Sequence, residues 1–199
     1  MKTNFLKLSL LALFISTASC SSDDNDDNTI PPVVTTKVSN LDAATAGTYT
    51  KFSFSENKVV TNDNWDIAFS TTTILVNGGT KKTEAEPTRT GSGAISIVSG
   101  TFAGVTLFPV ASTFAQDGTA AYAIPTGSGN GWYSYNMTTH IVSPIAGKVF
   151  VVKTHDGKYA KFEILSYYKD APATPDVTTA VSGNYTFNFA YQPNSTTTF

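Results

Sequence analysis

The chain has 199 residues, 41% hydrophobic and 14% charged, with a formal net charge of -2 and only two His, two Met and one Cys. That length encloses one core of ordinary size without disulfide staples. A single Cys closes no intramolecular bridge, two His build no Cys/His zinc cluster, and the slightly acidic balance offers no field for nucleic-acid phosphates; disulfide scaffolds, zinc fingers and nucleic-acid binders are set aside.

The first residues, MKTNFLKLSLLALFISTASC, place Lys2 and Lys7 around the start of an apolar run over 8–15, followed by Thr17, Ala18 and Ser19. A charged head, a short apolar stretch and small residues describe a secretory signal over 1–19, and the run is too short to span a bilayer as a lasting anchor. Ending on Cys20, the segment resembles a bacterial lipoprotein signal, in which that cysteine is acylated and begins the mature chain. A plain secretory signal cleaved near Ala18 leaves Cys20 a free thiol instead. Residues 20–32, CSSDDNDDNTIPP, are polar and acidic; they cannot repay their ordering entropy and are expected to form a disordered tether. Acidic residues directly after the cysteine resemble the surface-export signal of Bacteroidota lipoproteins, and read equally as a solvated linker.

From residue 33 to the end the chain is expected to be one compact all-β domain, antiparallel, with long loops. Thr, Val, Tyr, Phe and Ile dominate, and Gly, Asn, Asp and Ser clusters interrupt them every eight to twelve residues, a strand-and-turn pattern with no sustained helical stripe. Phe52 and Phe54 alternate near the start, and Trp65, Ile67 and Phe69 do the same. Residues 80–93, TKKTEAEPTRTGSG, lack apolar residues of core type and read as a long exposed loop. The glycine-rich 126–131, TGSGNG, reads as a turn before a strand, since no P-loop lysine or helix accompanies it. The apolar run 148–153 and the strand over 158–165 flank Asp156-Gly157, a strong hairpin signal. Tyr185, Phe187, Phe189 and Tyr191 alternate with small or polar residues, so one face of that strand is buried.

Catalytic constellations are sparse. No G-x-S-x-G elbow accompanies His140 or His155, which argues against a serine hydrolase. Asp66 and Glu163 lie in strands, but Asp66 within NWDIAF is expected to face outward or bond locally rather than pair as a glycosidase carboxylate. The residues point to a binding protein rather than an enzyme.

Three blocks carry a family resemblance: FSFSENKVV at 52–60, NWDIAFSTTTILVNGGT at 64–80, and GNGWYSYNMTTHIVSPIAGKVFVVKTHDGKYAKFEILSYYKD at 129–170. Trp-Asp, Gly-Trp and the hairpin with Asp-Gly-x-Tyr-x-Lys occur together and in order, and over roughly 33–191 the chain resembles the HmuY family of haem-binding lipoproteins from Bacteroidota. The resemblance implies an all-β protein at the outer membrane, exposed at the cell surface, which captures haem and passes it to a TonB-dependent receptor. It also implies two axial ligands on separate loops.

Counting from Trp132, the second family ligand falls on Met137, and a thioether is a competent ligand to haem iron. The region expected for the first ligand, 98–123, contains neither His nor Met; Tyr122 there is an oxygen donor. His140 is a second candidate ligand, if a turn brings it beside Met137, or else a structural histidine. His155 is placed at an exposed hairpin tip. Pocket-lining candidates are Trp132, Tyr133, Tyr135, Phe108 and Tyr122, with Phe102 and Phe114 as further choices between pocket and core. Lys81, Lys82 and Arg89 in the exposed loop read as solvated or as partners for haem propionates. The alternative is an interaction module on the same scaffold that binds another ligand or a protein.

Overall fold

A computed structural model describes residues 32–194 and 196–199; the expected signal, Cys20 and the tether up to residue 31 lie outside the described residues. Eleven strands run in chain order among the described residues: β1 (Thr35–Asp42), β2 (Thr50–Ser53), β3 (Lys58–Val60), β4 (Ile67–Ser70), β5 (Thr73–Val76), β6 (Ala94–Ser99), β7 (Tyr133–Tyr135), β8 (Val142–Pro144), β9 (Lys148–Lys153), β10 (Tyr159–Tyr168) and β11 (Ser182–Gln192). A single 3₁₀ turn, Ala111–Thr113, is the only helical piece among them. The strands form a five-stranded sheet ordered β1-β11-β10-β9-β6, a four-stranded sheet ordered β3-β2-β4-β5, and the β7-β8 ribbon. Every ladder between these strands is antiparallel. The fold is all-β, as the strand pattern predicts.

Period-two alternation explains how the sheets meet. On β11, Tyr185, Phe187 and Phe189 point to one face and are buried, while Thr186 and Asn188 point to the other. The buried row meets aromatic residues of the second sheet edge-on: the Phe187 ring centroid lies 5.3 Å from Phe52 with an interplanar angle of 85°. Phe69 lies 4.6 Å from Tyr185 and 5.6 Å from Phe187, and Phe54 lies 5.3 Å from Phe189. Phe162 and Phe150 of the first sheet stack at 4.9 Å within the same seam. Edge-to-face and offset contacts of this kind add to the area each ring buries.

Both sheets also bury part of their outer faces. Val60, Trp65, Ala68 and Leu75 form a second cluster behind the four-stranded sheet, with Tyr49 and Tyr122 against it. Val105, Val149 and Val151 form a third behind the five-stranded sheet, with Phe102, Phe114, Tyr159 and Phe199. This two-sided burial is why β9 reads KVFVVK rather than alternating: Phe150 and Val152 enter the seam while Val149 and Val151 face the cover. Lys161, on that covered face, is 5% exposed. Its ammonium donates to the carbonyls of Phe102 at 2.8 Å and Val105 at 2.7 Å and lies 4.6 Å from the Phe102 ring centroid. Burial lowers its pKa.

The β9–β10 hairpin forms where Asp156-Gly157 predicts it, with Gly157 at φ +76° and its N–H donating to the Thr154 carbonyl at 3.1 Å. Its turn is less exposed than expected. The His155 side chain is 18% exposed and its Nδ1 lies 2.8 Å from Asp66 Oδ1, so it is held against the body of the domain and the exposed-tip reading is corrected.

Because Phe187 touches rings of both sheets, Phe187→Ala should lower the unfolding free energy by about 3–5 kcal/mol. Urea titration measures this, and Phe187→Leu should lose much less.

Candidate functional site

The β7–β8 ribbon carries Met137 and His140. Tyr133, Ser134 and Tyr135 pair with Pro144, Ser143 and Val142, and the tip over 136–141 is closed by the Asn136 N–H donating to the Ile141 carbonyl at 2.9 Å. Asn136 shapes the turn. Its Oδ1 accepts from the N–H groups of Thr138 and Thr139 at 2.9 and 3.0 Å, and its carbonyl accepts from His140 N–H at 2.8 Å. Short polar side chains bond their own following backbone in this way and nucleate turns. Met137 thereby sits on the outside of the bend, 78% exposed. His140 adopts a left-handed φ of +56°, and Tyr135 Oη and His140 Nδ1 share a hydrogen bond of 2.6 Å. The expected turn therefore forms, and the two candidate ligands share one tip.

The base of the ribbon is fixed by the glycine-rich loop. Gly129 N–H donates to the Tyr133 carbonyl at 2.8 Å, and Ser128 Oγ accepts from Tyr135 N–H at 2.8 Å. A Cβ at Gly131 would lie 2.0 Å from the Pro125 carbonyl oxygen, so only glycine fits that crossing. Lys148 Nζ reaches the Gly131 carbonyl at 2.8 Å, and Val142 N–H donates to Tyr168 Oη at 2.9 Å, tying the tip end to β10.

The pocket candidates do not gather around Met137. Trp132 is 1% exposed, its indole N–H donating to the Thr72 carbonyl at 2.9 Å and its ring packed on Tyr167 and Tyr185; it belongs to the core. Tyr133 is half-buried against Trp132, and Tyr135 stays at the tip. Phe108 stacks on Tyr159 at 4.1 Å, at the first residue of β10, whereas the tip is tied to Tyr168, its last. Ten residues of strand span about 30 Å, so Phe108 and Met137 stand toward opposite ends. Tyr122 lies behind the four-stranded sheet.

Tyr122 belongs instead to a cluster that local pattern does not disclose. The 80–93 segment is not wholly exposed: Glu86 and Arg89 have side chains 0% and 2% exposed. Arg89 Nη2 donates to Glu86 Oε2 at 2.8 Å and to Asp117 Oδ2 at 3.0 Å, and Tyr122 Oη donates to Glu86 Oε1 at 2.7 Å. Asp117 also accepts from Val76 and Ala123 N–H, both at 2.9 Å. Burial raises the Asp117 carboxyl despite these bonds. Burial would raise Glu86 too, but the Tyr122 hydroxyl, the Lys82 N–H and the Arg89 guanidinium hold it below its usual value. Burial and the adjoining Glu86 carboxylate push the Tyr122 phenol above its ordinary range, so it remains a protonated donor. Arg89 is thus a structural clasp, and the solvated or propionate-facing reading for it is corrected.

Asp66 is likewise buried, at 1% exposure, not outward-facing. Its Oδ2 accepts from Phe54 N–H at 2.7 Å, and its Oδ1 accepts from His155 N–H at 2.8 Å and meets His155 Nδ1 at 2.8 Å. Burial raises its carboxyl above the ordinary 3.8 in spite of these partners. Among the described residues, no group of three or more His, Cys, Asp or Glu is arranged to hold a metal ion.

The fold and this ribbon define an all-β, two-sheet protein that presents a methionine on a braced hairpin. The model of the HmuY protein family matches residues 46–189, and the chain belongs to the HmuY family. In structure it is similar to the apo HmuY analog of Tannerella forsythia, with a TM-score of 0.54 at 15% identity, covering 84% of this chain and 100% of that one. It is also similar to a Bacteroides fragilis protein described as a lipoprotein, with a TM-score of 0.46, 16% identity, and coverage of 80% and 91%. A Bacteroides vulgatus protein described as HmuY-like and heme-binding aligns with a TM-score of 0.42, 17% identity, and coverage of 81% and 93%. No curated protein matches the chain.

Arg89→Met leaves two carboxylates buried without their cation, and should cost about 3–5 kcal/mol in urea unfolding while opening the 80–93 segment to trypsin at Lys81 and Lys82. A carboxyl raised in the folded state contributes most below its unfolded value and loses that contribution as pH rises through the folded value. The Asp66 contribution should therefore decline as pH climbs from about 4 through weak acid, and Asp66→Asn should flatten that part of a stability-against-pH profile.

Proposed function

We propose that this protein binds haem at the β7–β8 tip, with Met137 as an axial ligand, and acts as a surface-anchored carrier that passes haem to a TonB-dependent outer-membrane receptor. Membership of the HmuY family supports the ligand. The observation that carries the site is Met137, a thioether 78% exposed on a turn fixed by Asn136. Thioether sulfur is a soft donor suited to haem iron and favours the reduced state. His140, on the same tip, is the alternative nitrogen ligand; with Nδ1 engaged by Tyr135, its Nε2 is the atom turned to the task. Tyr135 and Tyr133 flank the ribbon as apolar surface for a porphyrin. In this reading Cys20 carries the lipid, the acidic residues after it direct export, and the membrane is met only through that anchor.

A second reading, an interaction module for another ligand or a protein, is favoured by the dispersal of Trp132, Phe108 and Tyr122 into three separate packing environments.

Titration with haemin, read as a Soret band in both oxidation states, decides between them. The haem reading expects a saturable band that Met137→Ala weakens about ten-fold or more, or shifts in position. No spectral change at micromolar haemin, or a band unaltered in Met137→Ala and His140→Ala together, supports the second reading.

A further inference from the structure

A groove of about 370 Å³ opens on the covered face of the five-stranded sheet, lined chiefly by Ala94, Ala111, Phe114, Gln116, Lys153 and Tyr159. Register explains its position. Ala94 pairs with Lys153 across β6 and β9, and Lys153 pairs with Tyr159 across β9 and β10. The three therefore stand in one row on one face. The next row holds Ser96, Val151 and Lys161, and it is closed by the 101–105 loop, whose carbonyls take the Lys161 ammonium. The first row is not closed, because Ala94 and Ala111 are too small to fill the space beside Lys153.

The two lysines of this face thus differ. Lys161 is satisfied internally. Lys153 is half-buried with its backbone held in two ladders, and among the described residues its ammonium has no hydrogen-bond acceptor, ion-pair partner or ring contact. It is the one formally charged side chain lining a groove whose aromatic wall is Tyr159 and Phe114, their centroids 5.8 Å apart at 67°. Phe108 stacks on the Tyr159 ring at 4.1 Å and backs that wall. Gln116 fixes one end, its amide N–H donating to the Gly93 carbonyl at 3.0 Å.

We infer that this groove is a binding site for a small planar aromatic carboxylate, its ring against Tyr159 and Phe114 and its charge on Lys153. An ammonium without an internal acceptor, standing beside two aromatic rings, favours an anion, and a charge-assisted bond is stronger than a neutral one. The volume suits one or two fused rings. The site stands apart from the β7–β8 tip and does not depend on the haem reading.

Calorimetric titration of the full chain with 2-naphthoate tests it, with 2-naphthylmethanol as the uncharged ring of the same shape. Saturable binding of naphthoate below about 1 mM is expected, with the alcohol at least about ten-fold weaker. Lys153→Met keeps the apolar stem and should erase that preference, and Ala111→Phe should fill the groove and remove binding of both probes. Met137→Ala should leave naphthoate binding as it was. Unchanged urea midpoints establish that the variants remain folded. Equal affinity for the two probes, a preference retained in Lys153→Met, undiminished binding in Ala111→Phe, or loss of binding in Met137→Ala would each overturn the assignment.

Discussion

The seam of aromatic rings between the two sheets is the constraint from which the rest follows. Phe187 meets Phe52 and Phe69 of the four-stranded sheet and Phe162 of its own, so the relative placement of the two sheets is set by ring-to-ring contact rather than by backbone pairing. Two polar ties finish the register at one end: Tyr185 Oη donates to the Thr71 carbonyl at 2.7 Å, and the Trp132 indole donates to the neighbouring Thr72 carbonyl at 2.9 Å. With the β4–β5 turn held by two aromatic side chains, the segment that precedes β7 is anchored, and the ribbon projects from a rigid base.

Each sheet then receives a second layer on its outer side. Behind the four-stranded sheet, the layer is held by charge, through one guanidinium between two carboxylates. Behind the five-stranded sheet it is held by Lys161 reaching two carbonyls. Both devices bury a cation where water would otherwise solvate it, and both succeed because the acceptors are already in place on chain segments that cross overhead. The irregular segments 77–93 and 101–123 are therefore structural walls as much as connections.

Much of the architecture is legible in the sequence where a single period governs it. The alternation over 185–191, the Asp156-Gly157 turn, and the Trp65-Ile67-Phe69 row each become the expected element, because side chains on one strand need only a neighbour to bury against. Polar burial is opaque to the same reading. Asp66, Glu86, Arg89 and Asp117 look like ordinary surface charges in their local contexts, and what buries them is a partner 28 residues away for Arg89 and Asp117, or 89 residues away for Asp66 and His155. Trp132 is equally ambiguous in the sequence, since an aromatic beside a glycine-rich loop fits a pocket wall or a core plug, and only the carbonyl of Thr72 selects the second. At the tip, NMTT and Pro144 suggest a turn in the sequence, but the exposure of Met137 depends on how Asn136 bonds the N–H groups that follow it.

His140 holds a left-handed backbone conformation at φ +56°. A left-handed φ at a branched-free but bulky side chain costs about 1–2 kcal/mol relative to glycine, and asparagine would also sit there more easily. The hydrogen bond to Tyr135 offsets part of that cost by holding the imidazole over the ribbon. The hairpin thus keeps an imidazole at a position where the conformationally easiest residue, glycine, has no side chain to donate or accept, and a library of residues at 140 selected for turn stability alone would drift away from histidine.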